Sequence, residues 1–165
     1  MQFRRSDYDV TNTVQVSSVA SVRRAVEELF LQTWPGANTE RLTTAFADFE
    51  RLFSGQFPGY LGCDTVYHDM QHSLDDTLAM ARLLAGYDRT HEPEQRLGAD
   101  RALLGIVVGL FHDAGYIRQS DDTLHRNGAA GMQRYGAFLW SGDVQSRWET
   151  LKTHVPIAVN TGLSG

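Results

Sequence analysis

Apolar side chains recur along this chain at the three-to-four-residue period of helices that bury one face. Val22, Ala25, Val26, Leu29 and Phe30 form the first such stripe, beginning after Ser18 and closed by Trp34-Pro35-Gly36. Asn38 or Thr39 can cap a second helix, whose stripe is Leu42, Ala45, Phe46, Phe49 and Phe53. Gly, Pro and aromatic residues from Gly55 to Asp64 predict a loop. A third helix is expected from about Asp69 to Leu84, facing inward with Leu74, Leu78, Ala81 and Leu84. Polar residues from Gly86 to Gln95, with Pro93 among them, read as a connector. Leu97 to Asp113 is apolar nearly all round and predicts a central, buried helix, which Gly115 ends. Two further helices are expected, over His125–Trp140 and from Asp143 through Trp148, Leu151 and Val155.

The first 17 residues lack sustained periodicity and read as a loose arm, leaving 18–165 as one domain. No convincing alternating strand, repeat or low-complexity tract interrupts the pattern. The expected fold class is therefore all-α, a compact bundle of about six helices. Gly105 and Gly109 cost about 1 kcal/mol each relative to Ala inside a helix, and their small size lets a neighbouring helix approach.

Composition narrows the class. Fifteen basic against twenty acidic side chains give a net charge of −5. A nucleic-acid polymer is not the expected partner, because such a protein needs a basic face. The single cysteine, Cys63, allows no internal disulfide, and no apolar run reaches the ~20 residues of a membrane span. A cytoplasmic protein without a membrane partner is the expectation. Oligomeric state is left open.

Chemistry gathers in two clusters. Three of the six histidines lie in Tyr67-His68-Asp69-Met70-Gln71-His72, followed by Asp75 and Asp76, and in Phe111-His112-Asp113-Ala114-Gly115-Tyr116. His68 and His72, four apart, share a helix face, with Asp75 and Asp76 one turn further on. A solvated polar face, with Asp75 or Asp76 pairing with Arg82, is the plainer reading of that spacing. His112 and Asp113 close an apolar run, where an imidazole and a carboxylate are costly unless satisfied. A divalent cation satisfies both; a histidine bonded to its neighbouring aspartate also does. Imidazole with carboxylate suits borderline or hard divalent metals.

Taken together, Tyr67-His68-x-x-x-His72-x-x-Asp75 and Phe111-His112-Asp113-Ala114-Gly115-Tyr116 resemble the HD superfamily of metal-dependent phosphohydrolases, over roughly residues 42–140. The first motif is similar to the phosphodiesterase branch. The resemblance implies an HD-type helical domain and an enzyme that hydrolyses a phosphate ester by metal-activated water. The substrate it implies is a small phosphorylated molecule, a nucleotide by preference. His72, His112 and Asp113 match metal ligands, Asp113 sitting at the reaction centre with His68, which matches the acid that protonates the leaving oxygen. Asp75 matches an outer acid that orients an imidazole. The cofactor would be a divalent ion, Mn, Mg, Zn, Fe or Co. His125 and His154 match places where some members hold a second metal, although an exposed histidine is the plainer reading of His125. Tyr60, Tyr67, Phe111 and Tyr116 are candidates to flank a base.

The family pattern also calls for a later aspartate ligand, and the sequence to Gly165 offers only Asp143 after Asp122, in unmatched surroundings. A truncated coding sequence, a fragment, or a form that borrows or lacks that ligand would each explain this. The alternatives of another class are a non-catalytic HD-scaffold regulatory or binding domain and, less favoured, a di-iron oxygenase.

Overall fold

The structure is a computed structural model and describes residues 6–120. Four helices carry it: α1 (Val19–Thr33), α2 (Glu40–Phe53), α3 (Met70–Thr90) and α4 (Gly98–Phe111), with single 3₁₀ turns at Pro93–Gln95 and Ala114–Tyr116. Among the described residues there is no strand ladder, only isolated bridges between Tyr8 and Gln15 and between Tyr60 and Gln119. The expected fifth and sixth helices, with His125, Asp143 and His154, lie outside the described residues.

Each helix starts and buries as its side chains dictate. Ser18 caps α1 by accepting the Ser21 amide, and Asn38 Oδ1 accepts the Glu40 amide at the start of α2. Val22, Val26 and Phe30 of α1 meet Leu42, Phe46 and Phe49 of α2 in one core with Leu74, Leu78 and Ala81 of α3 and Ala102, Ile106 and Leu110 of α4. Phe111 reaches that core edge-on to Phe49, ring centroids 5.8 Å apart. α3 lies between α1 and α4. Gly109 faces Met80 and Thr77, and Gly105 faces the end of Leu84, so the two glycines do line the close approach of α3 and α4.

Three expectations about elements need correction. Residues 6–17 are not a loose arm, since Val16 is fully buried and Asp9 organises a tight turn. Asp9 accepts the amides of Thr13 and Val14, the Thr11 hydroxyl, and Arg82 Nη2 at 2.7 Å. Arg82 therefore pairs across α3 to the N-terminal turn rather than with Asp75 or Asp76. α3 continues past Leu84 to Thr90. Burial of Ala85 and Asp88 outweighs the helix cost of Gly86. Finally, α4 is not buried all round: Val108 is half exposed.

Asp88 explains how α3 hands over to α4. Its carboxylate is buried and accepts Trp34 Nε1–H at 2.7 Å and the amides of Leu97 and Gly98 at 2.6 and 3.1 Å. The unpaired amides at the start of α4 are thus met by a side chain from the end of α3. Burial pushes the Asp88 carboxyl up, but the Leu97 amide, the Trp34 indole and the Gly98 amide outweigh it and hold it below the usual carboxylate range.

The loop after α2 packs back on the chain beyond α4. Gly55 takes φ +74°, and a β-carbon there would lie 2.8 Å from the Gly62 amide nitrogen. The Cys63 amide bonds Phe53 O, the Leu61 amide bonds Arg118 O, and the Ser120 amide bonds Gly59 O. Arg118 also pairs with Asp64. This belt fixes the approach to His68 from one side and the exit from Asp113 on the other.

Candidate metal centre

The start of α3 and the end of α4 meet at one corner. Asp69 caps α3, accepting the His72 amide at 2.8 Å, which sets His72 in the first turn with its ring toward α4. His68 precedes the helix and is held by its carbonyl, which accepts the Cys63 thiol at 3.3 Å. At the other end, Phe111 is anchored in the core, so His112 and Asp113 follow at its rim.

Asp113 is the hub. Its Oδ2 lies 2.8 Å from His68 Nδ1, 3.4 Å from His72 Nε2 and 3.2 Å from His112 Nε2. The Asp113 side chain is 8% exposed, so this carboxylate depends on those imidazoles for partners. His68, His72 and Asp113 bring three ligand atoms within 4.8 Å of one another, and so do His72, Asp76 and His112. His112 Nδ1–H donates to Gly109 O at 2.8 Å, which leaves Nε2 as the lone-pair nitrogen turned toward the carboxylates. Tyr116 stacks on His68 at 4.5 Å, and Tyr67 tilts over His72 at 4.8 Å. These two tyrosines rim the corner, while Phe111 belongs to the core and Tyr60 packs on Phe57.

The structure brings His68, His72, His112 and Asp113 together, although His68 precedes α3 and does not share its helical face with His72 as the spacing predicts. Asp75 is half-buried on α3 and belongs to neither ligand cluster. Asp76, which the sequence offered only as a partner for Arg82, joins the corner instead. It lies 3.4 Å from both His72 Nε2 and His112 Nε2. The signal was present, since His72 and Asp76 have the same four-residue spacing as His68 and His72. His125 and His154 lie outside the described residues. A cavity of about 450 Å³ lined by Phe30, Arg41, Asp100 and Leu103 contains none of these groups.

Comparison with known proteins points elsewhere. Residues 6–165 match the glycosyl hydrolases family 31 TIM-barrel domain. Alpha-glucosidase 2 of Bacillus thermoamyloliquefaciens is 50% identical over 148 residues, covering 82% of this chain and 18% of that protein. Alpha-xylosidase of Saccharolobus solfataricus is 45% identical over 42 residues, covering 26% of this chain and 6% of that protein. The chain thus spans less than a fifth of the length of these relatives. No solved structure matches.

The match and the described architecture do not coincide. A (β/α)₈ barrel places a strand before each helix and takes ~250 residues, whereas the described residues form helices joined without strands. Family membership accordingly rests on the sequence match, and the geometry above rests on the coordinates.

The match corrects the resemblance to HD phosphohydrolases, which stood on one motif of nine residues and one of six against a match along 6–165. A histidine pair on a helix face and a His-Asp pair at a helix end are local features; they gather ligands without specifying what is hydrolysed. Four expectations drawn from that resemblance fall with it: phosphate-ester hydrolysis, the phosphorylated nucleotide substrate, the HD-scaffold regulatory alternative and the di-iron oxygenase. By the extent of the match, residues 6–165, the chain belongs to the glycosyl hydrolases family 31 TIM-barrel domain family.

Proposed function

We propose that the whole protein hydrolyses glycosidic bonds of a carbohydrate. The observation that carries this reading is the family match over residues 6–165; the names of the two relatives, an alpha-glucosidase and an alpha-xylosidase, set the substrate class. The histidine corner does not enter that argument. Glycoside hydrolysis uses two carboxyl groups flanking the scissile bond, whereas Asp113 here faces three imidazoles. The test is the full-length protein with nitrophenyl α-glucoside and α-xyloside. Release of nitrophenol, at a rate proportional to enzyme, is expected. No release from either substrate at micromolar enzyme overturns the reading.

A second reading is favoured by the corner itself: His72, His112 and Asp113 hold one divalent cation. Enzymes of this family generally need no metal, so this reading stands on the chain's own residues. Its support is that the His72, His112 and Asp113 ligand atoms converge while His112 Nδ1 is engaged by Gly109 O. A bound cation would supply positive charge and Lewis acidity there. His68, bonded to the same Asp113 oxygen, would orient that carboxylate. Purified protein should carry or take up one zinc or manganese per chain, and His112→Ala should lose it. Full metal content in His112→Ala would overturn this reading.

A further inference from the structure

We infer that Asp76 is a fourth ligand at this corner, completing a set of two imidazoles and two carboxylates around a single borderline divalent cation. The inference rests on the cation reading of His72, His112 and Asp113, and adds a residue that neither the motifs nor the family match assigns.

His72 Nε2 and His112 Nε2 each face both Asp76 Oδ2 and Asp113 Oδ2, at 3.4 and 3.4 Å from His72 and at 3.4 and 3.2 Å from His112. With metal–ligand bonds of about 2.1 Å, the ligand atoms of a tetrahedral site lie about 3.4 Å apart, and adjacent ligands of an octahedral one about 3.0 Å. Three of the six edges of a tetrahedron are thus at tetrahedral length, and a fourth, His112 to Asp113 at 3.2 Å, is slightly shorter.

With a neutral His112 ring, the edges on that side are not ordinary hydrogen bonds. Because Nδ1 of His112 gives its proton to Gly109 O, a neutral ring presents a lone pair at Nε2. That lone pair faces two carboxylate oxygens. Three acceptors converging without a positive charge between them repel, and a dication at their centre turns each repulsion into a bond. The backbone places Asp76 for this: it stands one turn after His72 on α3, on the same face. Its side chain is half exposed, whereas Asp113 is buried. The site so formed has one inner and one outer carboxylate, and Asp76 closes it from the solvent side.

Zinc titrated calorimetrically into the full chain tests the assignment. One ion per chain is expected, with Asp76→Asn weakening it by about 100-fold or more, since loss of an outer-shell partner alone costs 10–100-fold. Asp48→Asn, remote and paired with Arg51, should be neutral. Cobalt(II) supplies a readout that does not need a variant: the intense visible bands of four-coordinate cobalt are expected in the wild-type chain. Asp76→Asn binding zinc as tightly as wild type, while His112→Ala does not, overturns the role of Asp76 and leaves the three-residue site standing. A wild-type chain that binds neither ion overturns both. Only weak six-coordinate cobalt bands with tight binding would overturn the closed tetrahedral geometry.

Discussion

Asp88 shows how one side chain can hold two elements in register. Its three donors come from Trp34 just after α1, from Leu97 and from Gly98, so Asp88→Ala leaves buried donors without partners. Hydrogen bonds to a charged group are worth about 1.5–3 kcal/mol each but are not additive; a loss of about 3 kcal/mol in urea denaturation is expected. The sign with pH follows from the depressed carboxyl. Its folded value lies below the 3.8 of an unperturbed aspartate, so its stabilisation is fully present above pH 4. It is lost as pH falls through the folded value. Asp88→Asn should flatten that acid limb and should not change the slope near neutrality; an unchanged acid limb would refute the role given to Asp88. None of this was legible in the sequence, where Gly86 to Gln95 reads as a polar connector. Polarity marks a surface position on average, and only the meeting of Trp34 with the start of α4 makes Asp88 an interior residue.

At the scale of elements, the helices were legible because each carries one long apolar stripe, as in Leu42, Phe46, Phe49 and Phe53. The far end of α3 was not, because α3 is prolonged past Leu84 by contacts from distant residues. His68, His72, His112 and Asp113 could be picked out as a group because two histidine-bearing motifs carry them, although His68 stands before α3 rather than on its face. Asp76 shares that four-residue spacing with His72, but Arg82 on the same helix offered it a simpler partner, and only the fold shows Arg82 bound to Asp9 at 2.7 Å instead. Two substitutions test how the elements hold the corner. In Gly55→Ala, a β-carbon meets the Gly62 backbone at 2.8 Å while φ stays at +74°. A loss of more than about 1 kcal/mol is expected, read as a lower urea midpoint, together with weaker zinc binding because the belt through Cys63 and His68 shifts. Phe111→Ala removes the core anchor beside His112 and should cost about 3–5 kcal/mol. If either variant kept both wild-type stability and zinc affinity, the corner would not depend on these supports.

The whole molecule joins two properties that the sequence reported unequally. The family match runs the length of 6–165, while the described helices converge on a cluster of imidazoles and carboxylates that could hold a cation. These properties are physically separable, because a ligand that binds only the folded chain raises its stability whatever reaction the full protein performs. α3 contributes His72 and Asp76, and His112 and Asp113 follow α4 directly, so an ion there would tie together the two helices that share the largest interface among the described residues. At a free zinc concentration 100 times the dissociation constant, the gain is about 2.7 kcal/mol. For a chain of this size, that corresponds to a rise of about 5–10 °C in the melting midpoint. A chelator should reverse the rise, and His112→Ala should abolish it. Glycosidase activity of the full protein, measured in the same chelator, would persist if the corner is structural and disappear if it lies in the reaction path. A melting midpoint that ignores zinc at every concentration would show that α3 and α4 are held by their apolar faces alone.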